Sequence, residues 1–199
     1  MRLFLPVLLA LLVAFSPGRV LAGSLEEAAE AYLRKDYATA LSVWRPLAAL
    51  GNAVAQFNLG LLYDNGQGVE QDAAEAVKWY SLAAAQGDAQ AQYNLGYMYD
   101  NGQGTLRNYA EAAKWYRLAA AQGDTRAQSS LAVLYASGQG VERDFVRAYM
   151  WFSVAVLSGK SASAATNREV VAKQLTQQEV DEGAELARAC LARQFKGCE

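Results

Sequence analysis

The chain has no histidine in its 199 residues. That removes the commonest general base near neutral pH and the commonest imidazole metal ligand. Serine–histidine and cysteine–histidine nucleophile pairs go with it. Cysteine is scarce: Cys190 and Cys198 stand alone, too few for an all-thiolate zinc site. An excess of positive charge is missing as well. The net charge is −2, which argues against nucleic acid, whose binding needs a basic footprint. Beyond residue 22 no apolar run is long enough to span a bilayer core.

The first 22 residues read as a secretory signal peptide. Arg2 gives a basic start, Leu3 to Phe15 is apolar, Ser16-Pro17-Gly18 breaks the run, and Val20-Leu21-Ala22 suits cleavage after Ala22. The apolar run is too short for a membrane span, and no cysteine follows it to carry a lipid. Cleavage removes Arg2 and Arg19 and leaves the mature chain more acidic. It places the protein in the periplasm or outside the cell, without a membrane span.

What the sequence does have is a segment repeated every 36 residues. Gly51, Gly87, Gly123 and Gly159 fall on that period. Between them Ala-Gln-Phe-Asn-Leu-Gly-Leu-Leu-Tyr (55–63) returns as Ala-Gln-Tyr-Asn-Leu-Gly-Tyr-Met-Tyr (91–99) and Ala-Gln-Ser-Ser-Leu-Ala-Val-Leu-Tyr (127–135). A period of this length marks an array of small units that bury their apolar faces on one another.

Each unit reads as two helices. Asn52, Asp88 and Asp124 suit the N-cap of a first helix, A, running from about Ala53 to Asp64 in the first unit. Ala55, Leu59, Leu62 and Tyr63 form its apolar stripe. Gly60 and Gly96 sit inside helix A, a costly place for glycine, which points to close approach of a neighbouring helix. The loop Asn65-Gly66-Gln67-Gly68-Val69-Glu70-Gln71 recurs at 101–107 and 137–143, its glycines permitting positive φ. Asp72 with Glu75, and Asn108 with Glu111, fit a capping box opening a second helix, B; the third unit keeps Asp144 but has Arg147 in place of the glutamate. Helix B carries Ala76, Trp79, Tyr80, Leu82 and Ala83, matched by Ala112, Trp115, Tyr116, Leu118, Ala119 and by Ala148, Trp151, Phe152, Val154, Ala155. Small residues alternating with large ones suit an interlocking helix interface, with the three tryptophans in the core.

These motifs, Leu-Gly-x-x-Tyr-x-x-Gly-x-Gly-Val-x-x-Asp followed by Ala-x-x-Trp-Tyr-x-x-Ala-Ala-x-x-Gly, resemble the Sel-one-like repeat, a relative of the tetratricopeptide repeat. The resemblance covers repeats at 51–86, 87–122 and 123–158. Residues 23–50 resemble a capping helix pair at the front and 159–199 one at the back, with Thr176 and Glu179 as a capping box. It implies an all-α fold, a right-handed α/α solenoid of tandem helix-turn-helix units, binding other proteins and catalysing nothing.

The Gly-x-Gly loops are no phosphate site: a helix precedes them, and the third glycine of a dinucleotide fingerprint is missing. Nor does Asp64 to Asp72 follow the ligand order of a calcium loop, and the later copies lose Glu70 to Leu106 and Asp64 to Ala136. No cofactor or metal is expected. Recognition is expected at positions that vary between units. On helix A these are Phe57, Tyr93 and Ser129, and four residues on Leu61, Tyr97 and Val133, all on one face. The resemblance places helix A on the concave surface. The candidate binding residues are therefore Phe57, Asn58, Leu61, Tyr93, Asn94, Tyr97 and Val133, which would take an extended peptide or a partner helix. The alternatives are that the aromatics pack on the next unit and that the asparagines bond backbone. Removing Tyr93 or Tyr97 is expected to abolish capture without lowering thermal stability.

Cys190 and Cys198 would lie about 12 Å apart on one continuous helix, beyond the ~7 Å reach of a disulfide. Gly197 lets the chain turn back, and in an oxidising compartment a bridge that pins the C-terminus is expected. The favoured function is a noncatalytic adaptor in the cell envelope that binds a protein or peptide. An exported effector that binds a host protein is the alternative. Binding or cleavage of cell-wall peptides or β-lactams rests on analogy with cysteine-rich relatives, whose repeated disulfide pairs are missing here.

Overall fold

The structure, a computed structural model, describes residues 17–159 and 161–198, with side chains from residue 24. Residues 1–16 of the expected leader lie outside the described residues. Those described form ten helices and no strand: α1 (Pro17–Leu33), α2 (Tyr37–Ala49), α3 (Ala53–Asn65), α4 (Ala73–Ala85), α5 (Ala89–Asn101), α6 (Tyr109–Ala120), α7 (Thr125–Ser137), α8 (Phe145–Gly159), α9 (Ala162–Ala172) and α10 (Gln177–Ala192). The expected cleavage point after Ala22 falls within α1. From α1 to α9 each helix packs on the next in chain order, and α10 returns to lie on α8. This file of helix pairs is an all-α solenoid.

The caps fall where short polar side chains predict them. Asn52, Asp88 and Asp124 accept from the backbone N–H of Ala55, Ala91 and Ala127. Asp72 and Asn108 do the same for Glu75 and Glu111. The reciprocal half of the expected boxes does not form there. Helix A's last turn already takes the cap N–H: Asp72 N donates to Tyr63 O and Asn108 N to Tyr99 O. Glu75 and Glu111 turn instead to Lys78 and Lys114. Only at Thr176, which opens α10, are both halves present.

The loops tie units together. Gly66, Gly102 and Gly138 close α3, α5 and α7 in the left-handed conformation. The second glycine of each loop lies against the preceding helix B; a methyl group on Gly104 would overlap the Ala73 carbonyl. In the shorter first loop Lys35 takes a positive φ without glycine.

The core follows the stripes, with four corrections on helix B. Ala55, Leu59, Leu62, Tyr80, Leu95, Tyr116, Leu131 and Trp151 are buried. Trp79 and Trp115 are half-buried, each lying on the core of the unit before it. Leu82 and Leu118 are 49% and 44% exposed. The equivalent Val154 is buried because α9 and α10 both cover α8.

A row of glutamines runs through this core. Gln56, Gln92 and Gln128 are buried, and each Nε2 donates to the helix-B carbonyl before it, at Ala48, Ala84 and Ala120. Their Oε1 atoms accept from Gln86, Gln122 and Ser158 at the end of the following helix B. Each glutamine so bonds three successive helices, which removes the cost of burying its amide.

The C-terminus is held as expected. Cys190 and Cys198 form a disulfide with Cα atoms 5.1 Å apart. The reversal that brings them together uses Gln194 and Phe195 as well as Gly197, all at positive φ.

Candidate functional site

The seven candidate residues fall into three equivalent settings, one per unit. In the first, Phe57 is half-buried with its ring 6.0 Å from that of Tyr80. Leu61 packs on the same core. Asn58 donates to its own helix at Val54 O. In the second, Tyr93 is half-buried between Tyr116 and Tyr97, with ring centroids 5.8 and 6.4 Å away. The Arg126 guanidinium lies 4.2 Å above it and pairs with Asp124 at 2.6 Å. Tyr97 and Val133 project most, at 44% and 46% exposure. Phe57, Leu61 and Tyr93 thus serve the packing of their units as well as the surface. The expectation of unchanged stability on truncation is restricted to Tyr97, because Tyr93 lies on the core.

Asn94 has a role the sequence left open. The Tyr80 hydroxyl donates to Asp64 Oδ2 at 3.3 Å, and the Asn94 side chain lies near enough to favour the ionised phenol. One unit on, Tyr116 donates to Asp100 Oδ2 at 3.1 Å and meets Ser130. Burial pushes both phenols above their ordinary range. It also raises the Asp64 and Asp100 carboxyls, opposed by the hydrogen bond from each tyrosine. The Tyr97 and Leu61 carbonyls accept from Asn101 and Asn65, in the same last turns of α5 and α3.

The third setting is different. Phe152 replaces the tyrosine and Ala136 the aspartate. Here Val133, Ala136 and Phe152 line a cleft of about 440 Å³ with Asn167, Val170 and Val171. A second cleft, about 320 Å³, lies between α8 and α10 and is lined by Asp144, Arg147, Glu182 and Arg193 among others.

Two features were missed in the sequence. One is the glutamine row, visible as an unvarying Gln beside Ala55, Ala91 and Ala127. The other is the tyrosine–aspartate pair, visible as two positions that change together in the third unit. Among the described residues no group of side chains could hold a metal ion, and no helix is long and apolar enough to cross a membrane.

Comparison with known proteins adds the family. Residues 53–88, 89–124 and 125–160 each match the Sel1 repeat. The crystal structure of a Sel1 repeat protein from Oxalobacter formigenes is similar at 32% identity with a TM-score of 0.70, over 82% of this chain and 74% of that one. So is that of c5321, a protective antigen present in uropathogenic Escherichia coli strains and displaying an SLR fold. It is 29% identical with a TM-score of 0.53, over 81% of this chain and 42% of its own. No curated protein matches.

Proposed function

This chain belongs to the Sel1 repeat family, and from that premise we propose that it is a noncatalytic scaffold of the cell envelope that holds a protein or peptide on its concave helix-A face. Repeats of this family generally mediate protein–protein interaction. The observation that carries the reading is where variation falls. The buried positions of α3, α5 and α7 are nearly identical between units. Phe57, Tyr93 and Ser129, with Leu61, Tyr97 and Val133, differ from unit to unit on the adjoining face. Tyr97 and Val133 stand out into solvent from that variable face, where they are open to a partner. Residues 1–22 fit export, the disulfide fits an oxidising compartment, and the mature chain would begin at Gly23.

Site-specific photocrosslinking in intact cells tests the face. A photoreactive side chain at Tyr97 or Val133 is expected to give one discrete adduct with an envelope protein. The same group at Leu82, exposed on helix B, is expected to give none. Equal labelling from Leu82 would contradict the assignment.

A further inference from the structure

We propose that the partner segment carries cationic side chains beside a bulky apolar one, the cations seated on Asp64 and Asp100 and the apolar group in the cleft between α7, α8 and α9. The inference rests on the scaffold reading and specifies its partner's chemistry.

Three positions change as a set along the array. Units one and two have Gly60, Asp64, Tyr80 and Gly96, Asp100, Tyr116; the third has Ala132, Ala136, Phe152. The glycine lets the tyrosine ring lie against helix A, so that its hydroxyl reaches the carboxylate in that helix's last turn. Two settings thus present an acid and one presents none.

The acids are poorly compensated. Each is half-buried at a helix C-terminus, where the backbone carbonyls already concentrate negative charge. Each accepts one side-chain bond, from a neutral phenol. No lysine or arginine forms an ion pair with either among the described residues. Arg107 acts on Asp100 only at longer range, its guanidinium lying toward the Tyr109 ring. Arg126 is already committed to Asp124. Burying a carboxylate against neutral donors is costly, and an incoming ammonium or guanidinium removes that cost through a charge-assisted bond. The third setting offers the opposite chemistry. Without the hydroxyl of a tyrosine or the carboxylate of an aspartate, Phe152 and Ala136 leave a mainly apolar cleft of about 440 Å³, lined also by Ser137 and Asn167, space for a leucine or phenylalanine side chain.

Fluorescence anisotropy with the mature chain tests this. The probe is a labelled peptide Lys-Ser-Lys-Ser-Leu-Ser-Lys-Ser-Lys, whose symmetry makes binding direction irrelevant; its counterpart has glutamate for every lysine. The lysine peptide is expected to bind and the glutamate peptide not. The double variant Asp64→Asn, Asp100→Asn keeps an acceptor for each tyrosine and is expected to weaken binding by about tenfold or more. Ala136→Leu, which fills the cleft, is expected to weaken it by about tenfold with the acids intact. Binding of both peptides alike, of neither, or of the lysine peptide undiminished in the double variant overturns the inference. If the Tyr97 cross-link persists in that case, the scaffold reading stands without it; if labelling at Tyr97 and Leu82 is equal, the scaffold reading itself has failed.

Discussion

At the scale of single residues, the informative positions are those where a unit departs from its neighbours. A methyl group on Gly60 would meet Tyr80 Cδ1 at 2.5 Å, and one on Gly96 would meet Tyr116 Cδ1 at 2.8 Å. Gly60→Ala is therefore expected to lose about 1–2 kcal/mol in urea unfolding, overpacking outweighing the gain in helix propensity. Copying the third unit, as Gly60→Ala, Tyr80→Phe, Asp64→Ala, should recover most of it, since the ring no longer has to reach a carboxylate. The acids give a second prediction. Burial raises Asp64 and Asp100 above the usual 3.8, so the folded state binds their protons more tightly than the unfolded one. Their contribution is fully present below about pH 4 and is lost as pH rises through the folded-state values. Asp64→Asn, Asp100→Asn should thus raise the thermal midpoint at pH 7, with the gain vanishing near pH 3. A lower midpoint at pH 7 would mean that the phenol bonds outweigh desolvation.

At the scale of the helix, the array is held by more than its stripe. Gln92 joins α4, α5 and α6 through Ala84 O and Gln122. Gln92→Leu should cost about 1–2 kcal/mol despite adding apolar surface, because the buried Ala84 carbonyl loses the bond from Gln92 and α5 loses its tie to Gln122 at the end of α6. Urea titration of the variant checks this. The helices, their N-caps and the glycine loops were legible because each depends on residues close in sequence: Asn52 and Ala55, or Gly66 after Asn65. What was not legible depends on partners a unit away. Glu75 fits a capping box, yet the Asp72 N–H it would serve is taken by Tyr63 O. Gln56 looks like a surface residue by polarity and is buried by the helix that follows. Leu82 and Val154 share a register, and the cover that α9 and α10 together give α8 distinguishes them. For the candidate site, periodicity named the face, but not that Phe57 and Tyr93 also belong to the core or that Asn94 supports Tyr80.

At the scale of the whole molecule, a file of pairs that touch only their neighbours has ends to protect. Among the described residues the front begins with α1. The back is closed by α10, and Phe195 is held over Gly123 by the turn that the disulfide fixes. Reduction of Cys190–Cys198 should free the last residues first. Hydrogen exchange in α10 and at 193–198 is expected to rise, while α3 to α6 stay protected. Uniform loss of protection would contradict a file of locally held units. Since stability resides in the stacked interior and recognition in the face beside it, the two should separate in one side chain. Tyr97 is the position that separates them. In the Tyr97→Ala variant, the envelope protein captured by the unaltered chain should be lost while the thermal midpoint stays within about 1 °C, as for an exposed substitution. Undiminished capture with an unchanged midpoint would contradict a binding role for that face, and a large fall in the midpoint would return Tyr97 to the core.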